Sequence, residues 1–137
     1  MNSLEQYLKE AKVFYLATMR ETGPSNRPIG GKPGFEGDGF LKYEGKYYFY
    51  TDNRKLMYKE LSNNPNIAMT FMVSGGYVRV FAAVEFIDNV ELKEQFLNEN
   101  PVLKQIYKAD DQFFELYYLN EVNALLYAPM KEPMKLE

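Results

Sequence analysis

Short apolar runs, alternating or continuous and punctuated by Gly, Pro and Asn, recur through most of this chain, and only a few segments space their apolar residues as a helix does. The first is helical: Leu4, Tyr7, Leu8 and Ala11 share one face, and Ser3 with Gln6 makes a capping box at its start. Residues 13–19 are aromatic and β-branched, which predicts a buried strand. The chain turns at Glu21-Thr22-Gly23-Pro24 and returns over residues 26–29, where Pro28 suits an edge strand. Gly30-Gly31-Lys32-Pro33-Gly34 and Gly37-Asp38-Gly39 read as loop, with backbone open enough to approach a ligand closely. Residues 40–43 and 46–51 flank Glu44-Gly45, a two-residue hairpin connection. A helix over 54–62 follows, capped by Asp52 or Asn53, with Met57 and Leu61 inward and Asn64-Pro65 at its end.

Beyond it, residues 67–72 form a strand, Ser74-Gly75-Gly76 a turn, and residues 77–86 a long strand with Val78, Val80, Ala82, Val84 and Phe86 on one face. Asn89 caps a helix with Leu92, Phe96 and Leu97 inside, and Asn100-Pro101 opens another with Leu103, Ile106 and Tyr107 inward. Residues 113–119 and 122–130 read as two closing strands, and 131–137 as a frayed tail. No repeat or change of composition divides the chain, so a single domain over 1–137 is expected. Many short antiparallel strands with few helices predict a mainly β fold with peripheral α, closed as a barrel.

Composition changes this picture mainly by exclusion. The net charge is −3 and the Lys and Arg residues are scattered, which argues against a nucleic-acid backbone as partner. There is no Cys and no His, so the best donors for zinc, copper and haem iron are missing, as are a Ser-His-Asp triad and a thiol nucleophile. No metal centre is expected, and chemistry falls to Tyr, Lys, Asp, Glu or a bound cofactor. The first twelve residues lack the apolar core of a signal peptide, and no run approaches the ~20 residues of a membrane span, so no membrane partner and a cytoplasmic location are expected.

The informative junction is Tyr50-Thr51-Asp52-Asn53-Arg54-Lys55, where a strand ends, a helix begins, and hydroxyl, amide and cationic groups crowd the helix start. The helix dipole favours an anion there by roughly 0.3–1 kcal/mol. Lys55 or Arg54 would add charge-assisted bonds of roughly 1.5–3 kcal/mol each, enough to set the affinity for a phosphate. The competing reading is structural: Asp52 and Asn53 cap a helix whose cations face water, and Arg27 lies solvated on an edge strand.

The order of several pieces together resembles the pyridoxamine 5′-phosphate oxidase-like flavoproteins, especially the short branch that includes nitroimidazole-resistance proteins. The pieces are residues 13–18, Arg27-Pro28-Ile29-Gly30, Tyr48-Phe49-Tyr50-Thr51 with Asn53 and Lys55, residues 61–65, Tyr77-Val78-Arg79-Val80, Glu99-Asn100-Pro101, Lys104, Ile106-Tyr107 and Ala109-Asp110-Asp111. The resemblance implies an FMN-binding split β-barrel that works as a homodimer, with FMN at the interface. Arg27, Pro28 and Ile29 would face the flavin, Tyr50 and Thr51 would lie beside it, and Thr51 and Lys55 would hold the phosphate. Asn53-Arg54-Lys55 resembles the Ser-Arg-Lys triplet of the true oxidases, with Asn for Ser. Tyr15, Tyr77, Phe81 and Tyr117 are the aromatics that a two-fold contact would cover. Phe81-Ala82-Ala83 stands where relatives often carry Ser-Gly and a small residue, which implies a bulkier ligand-facing surface. The chain ends soon after Met130, without the Trp- and Arg-rich segment of authentic pyridoxamine phosphate oxidases, so that activity is not expected. The implied function is an FMN-dependent oxidoreductase passing electrons from a reduced nicotinamide nucleotide to a small quinone or nitro acceptor. The alternative is a non-catalytic flavin or small-ligand binding module. Haem binding, a third reading, lacks its usual histidine.

Overall fold

The computed structural model describes residues 3–30 and 36–137, so the loop expected at 31–34, with Lys32, lies outside the described residues. Eight strands form one sheet: β1 (Val13–Arg20), β2 (Gly23–Gly30), β3 (Leu41–Tyr43), β4 (Lys46–Asp52), β5 (Asn66–Val73), β6 (Gly76–Ile87), β7 (Phe114–Tyr127) and β8 (Met134–Leu136). Around it lie α1 (Leu4–Ala11), α2 (Leu56–Asn63), α3 (Val90–Glu99) and a 3-10 helix at Pro101–Gln105. The strand order is β2-β1-β5-β6-β7-β4-β3, with β8 on β7 and neighbours antiparallel throughout.

Although β1 and β4 lie far apart in that order, Phe14 on β1 meets Phe49 on β4 edge-on with ring centroids 5.8 Å apart, and Phe71 on β5 at 5.4 Å. The sheet therefore curls until its two ends face each other around a shared apolar interior, which is a split β-barrel with peripheral helices. Phe14, Leu16, Phe49, Met69, Phe71, Val78 and Val80 alternate inward as the pleat requires. A second apolar cluster lies on the other face of β4, where Tyr48 and the half-buried Tyr50 pack against Phe96 of α3, Leu103, Tyr107 and Phe114. Both faces of β4 are thus covered, which explains its unbroken apolar run.

Four expectations are corrected. Residues 113–130 do not make two strands: β7 runs through Asn120 and Glu121, and an extra residue bulges where Phe81 pairs Asn123 but Ala83 pairs Asn120. Glu121 carries the bulge with φ +53. The tail is not frayed, because β8 pairs Ala124–Leu126, Leu136 enters the core, and Leu4 N–H donates to the Glu137 carbonyl at 2.8 Å. Ile106 points to solvent rather than inward, since the 3-10 turn ends before it and breaks the helical spacing. Finally, Gly37-Asp38-Gly39 is not open backbone but packs on Asn100: a Cβ at Gly37 (φ +102) would stand 2.6 Å from Asn100 Oδ1, which accepts the Gly39 N–H at 2.8 Å.

Candidate functional site

A cavity of about 540 Å³ opens where β4 hands over to α2 and the edge strand β2 passes alongside. Six of the expected residues line it: Arg27, Pro28 and Ile29 from β2, Tyr50 and Thr51 from the end of β4, and Lys55 at the helix start. Arg20, Ser25, Glu60 and Met57 also line it. Its size is ordinary for a cofactor or small-molecule site.

The start of α2 differs from the expectation. The helix begins at Leu56 with Lys55 as N-cap, and no side chain caps it, whereas Ser3 caps α1 and Asn89 caps α3. Asp52 is not the cap because it is occupied two residues earlier. Its carboxylate accepts the Arg54 backbone N–H at 2.9 Å, the Arg54 guanidinium at 2.9 and 2.6 Å, and the Tyr107 hydroxyl at 2.7 Å. The Arg54 guanidinium beside it holds the Asp52 carboxyl well below the usual carboxylate range. Burial first, then the bond to Asp52, pushes the Tyr107 hydroxyl up. Arg54 lies over the Phe113 ring at 3.8 Å, and Asn53 donates to the Gln112 carbonyl at 2.6 Å and to Glu115 at 2.8 Å. Asn53 and Arg54, both expected at the site, therefore face away from the cavity and brace β4 against the loop before β7.

This leaves the Leu56 and Met57 amides at the start of α2 without a partner within the helix, beside Lys55, while the Tyr58 N–H donates to the Lys55 carbonyl at 3.1 Å. Lys55 is exposed and has no ion pair among the described residues. Thr51 is buried and is among the residues that line the cavity, and its Oγ has no hydrogen-bond partner among the described residues. A buried hydroxyl without a partner costs roughly 1–3 kcal/mol, so Thr51 is the strongest local signal that a ligand completes the site. Arg27 is spoken for: its guanidinium donates to Glu60 Oε1 at 2.7 Å, to the Leu16 carbonyl at 3.1 Å and to Ser25 Oγ at 2.9 Å. Thr18 Oγ adds a 2.6 Å bond to the same carboxylate oxygen. Arg27 thus shapes the wall rather than offering a free charge.

Sequence reasoning missed Glu60, Thr18 and Arg20. Thr18 and Glu60 are 42 residues apart, and nothing local announces their contact. A signal for Glu60 did exist, since it stands next to Leu61 on the inward face of an amphipathic helix, where a carboxylate needs a partner.

With this geometry in place, comparison with known proteins gives a consistent result. The family model described as pyridoxamine 5′-phosphate oxidase matches residues 2–120, and the chain belongs to that family, whose members generally bind a flavin. A NimC/NimA family protein from Clostridium acetobutylicum is similar over its structure, with TM-score 0.85 and 31% identity over 96% of this chain and 87% of that one. The General Stress Protein 26 of Bacillus anthracis shares the fold, with TM-score 0.73 and 18% identity over 97% of this chain and 95% of that one. A pyridoxine-5′-phosphate oxidase of Dictyostelium discoideum is 36% identical over 98 residues, 71% of this chain, and the matched part spans 39% of that relative's length. Among the described residues, no helix is long and apolar enough to cross a membrane.

Proposed function

We propose that the protein binds FMN in the cavity between β2, β4 and α2 and works as an FMN-dependent oxidoreductase. The observation that carries this reading is the buried Thr51 hydroxyl beside an uncapped helix start and Lys55, neither side chain having a partner among the described residues. The donor set fits a phosphate: Lys55 supplies charge, Thr51 a hydroxyl, and the first turn of α2 amides and the positive end of its dipole. Arg27, Pro28, Ile29 and Tyr50 form the wall beside which the rest of the ligand lies. When bound, the flavin supplies electron transfer, and the protein's part is to hold and orient it. A reduced nicotinamide nucleotide is the proposed donor and a small quinone or nitro compound the proposed acceptor.

The native unit in this reading is a homodimer. On the outer face of the sheet, Tyr15, Met19 and Phe81 are exposed around Ala17 and Ala68, which pair side by side with Phe81 across β1, β5 and β6. An isologous contact would cover this apolar face. Tyr117, expected there, is instead fully buried in the barrel interior, because alternation along β7 sends Tyr117 and Leu119 to the barrel side and Phe114 and Leu116 to the side of α3.

Anaerobic spectra of the purified protein with FMN test the reading. Bleaching by reduced nicotinamide nucleotide, and recovery on adding a quinone or nitroaromatic, is the expected result. Binding without bleaching by any reductant favours the flavin-binding module. Rapid bleaching by pyridoxamine phosphate returns the chemistry to vitamin oxidation, the activity named for the Dictyostelium relative. Sedimentation at micromolar concentration should give a dimer, and a monomer fully loaded with FMN would overturn the assembly.

A further inference from the structure

Among the described residues Glu60 is the only carboxylate lining the cavity, and it is nine-tenths buried. Its Oε1 carries both internal bonds, from Thr18 at 2.6 Å and from Arg27 at 2.7 Å. Its Oε2 accepts no hydrogen bond among the described residues. A carboxylate so deeply placed is costly unless its lone pairs are used, and the internal pairing uses one oxygen only. Arg27 neutralises the charge, so this end of the cavity offers an acceptor without a free cation. Lys55 leaves the start of α2 cationic, whereas the Arg20 guanidinium, two residues along β1 from Thr18, donates to the Gly23 and Pro24 carbonyls at 3.4 and 3.3 Å. Along α2 the two ends are separated by five residues, about 7.5 Å at the helical rise.

We propose that Glu60 is a specificity-determining residue whose Oε2 accepts a hydrogen bond from an O–H or N–H of the ligand. The cavity then selects a molecule that is anionic at one end and carries a neutral donor further along. An anion placed at Glu60 would meet a carboxylate, and an apolar group would leave Oε2 stranded. This rests on the flavin reading above and adds what that reading leaves open, namely which wall residue recognises the part of the ligand beyond its phosphate. Flavins offer two such donors, the ribityl hydroxyls and the ring N–H, and they are separable by ligand.

The test is a fluorescence titration of wild type and Glu60→Gln with FMN, riboflavin, lumiflavin (a methyl in place of the ribityl chain) and 3-methyllumiflavin (no ring N–H either). Selective weakening of about five- to tenfold is expected, confined to ligands that keep the donor. If the donor is a ribityl hydroxyl, FMN and riboflavin weaken and both lumiflavins do not; if it is the ring N–H, every ligand weakens except 3-methyllumiflavin. Glu60→Asp, which keeps the charge for Arg27 but withdraws Oε2 by one methylene, should give the same selectivity and covers the case in which the Gln variant does not fold. Equal weakening of all four ligands, or none, overturns the assignment and leaves Glu60 a purely internal partner of Arg27. Wild type that binds no flavin at all overturns the cofactor reading itself, and this assignment with it.

Discussion

Thr51 and Asp52 are neighbours on β4, yet their side chains enter opposite sides of the strand and meet opposite fates. Asp52, on the side of α3 and the 3-10 helix, has its carboxylate fully engaged by Arg54 and Tyr107. Thr51, on the barrel side, is as deeply buried and has no partner. Both are polar, buried and at the same strand end, so burial alone does not separate structure from function. Satisfaction together with position does: Asp52, fully engaged, holds the turn, whereas Thr51, which has no partner among the described residues and lies beside the cavity, takes its partner from the ligand in the proposed reading.

The largest expected difference between the two sides is in stability. Asp52→Asn removes the charge that Arg54 pairs with and replaces one of the two acceptor oxygens by an NH2, so that the bonds from the Arg54 guanidinium and the Tyr107 hydroxyl to that position are lost or reversed, which should cost about 3 kcal/mol in urea unfolding. Its pH signature follows from sign. The folded carboxyl titrates below its ordinary value, so its contribution is fully present above about pH 4 and is lost as pH falls through the depressed folded value. The Asn variant should therefore flatten the acid limb of the stability profile, and an unchanged limb would remove Asp52 from its role in the turn.

On the other side the large effect is on binding. Lys55→Ala should raise the FMN dissociation constant by roughly tenfold to a hundredfold, because one charge-assisted bond is lost. Stability should hardly change, since Lys55 is exposed and unpaired among the described residues. Calorimetric titration beside a thermal melt reads both, and an unchanged constant would move the phosphate elsewhere.

Smaller, but most specific, is Thr51→Val. The valine keeps the shape and removes the partnerless hydroxyl, so the ligand-free protein should be as stable as wild type or more stable by about 1 kcal/mol, while FMN binds about fivefold more weakly. Tyr117→Phe is the matched control. Its hydroxyl is also buried without a partner, but it does not line the cavity, so stability should move the same way and FMN affinity should stay put. If both substitutions left binding untouched, Thr51 would be only a second packing defect.

What the sequence discloses follows the same division. Strands whose period is set by local burial, such as β1 with Phe14 and Leu16 inward, are legible from residue types alone. The junction at Tyr50 to Lys55 is legible as a site because its donors are consecutive. Which of those donors remain free is not legible, because that depends on Tyr107 and Glu115 arriving from far along the chain. Asn53 and Arg54 look like site residues until those partners occupy them. In the same way Asn120-Glu121 has the composition of a turn, and only pairing with β6 shows that it is a bulge inside one strand. The three residues of β8 are too few to carry a period, so Leu136 acquires its place only from β7.

The central claim is that the start of α2, with Thr51 and Lys55, is a phosphate site. The most direct measurement is the affinity of the wild-type protein for FMN against riboflavin, which differ by that phosphate alone, determined by calorimetry in one buffer. The account predicts FMN tighter by roughly tenfold or more, on the scale of a single charge-assisted bond. Equal affinity for the two ligands would contradict it.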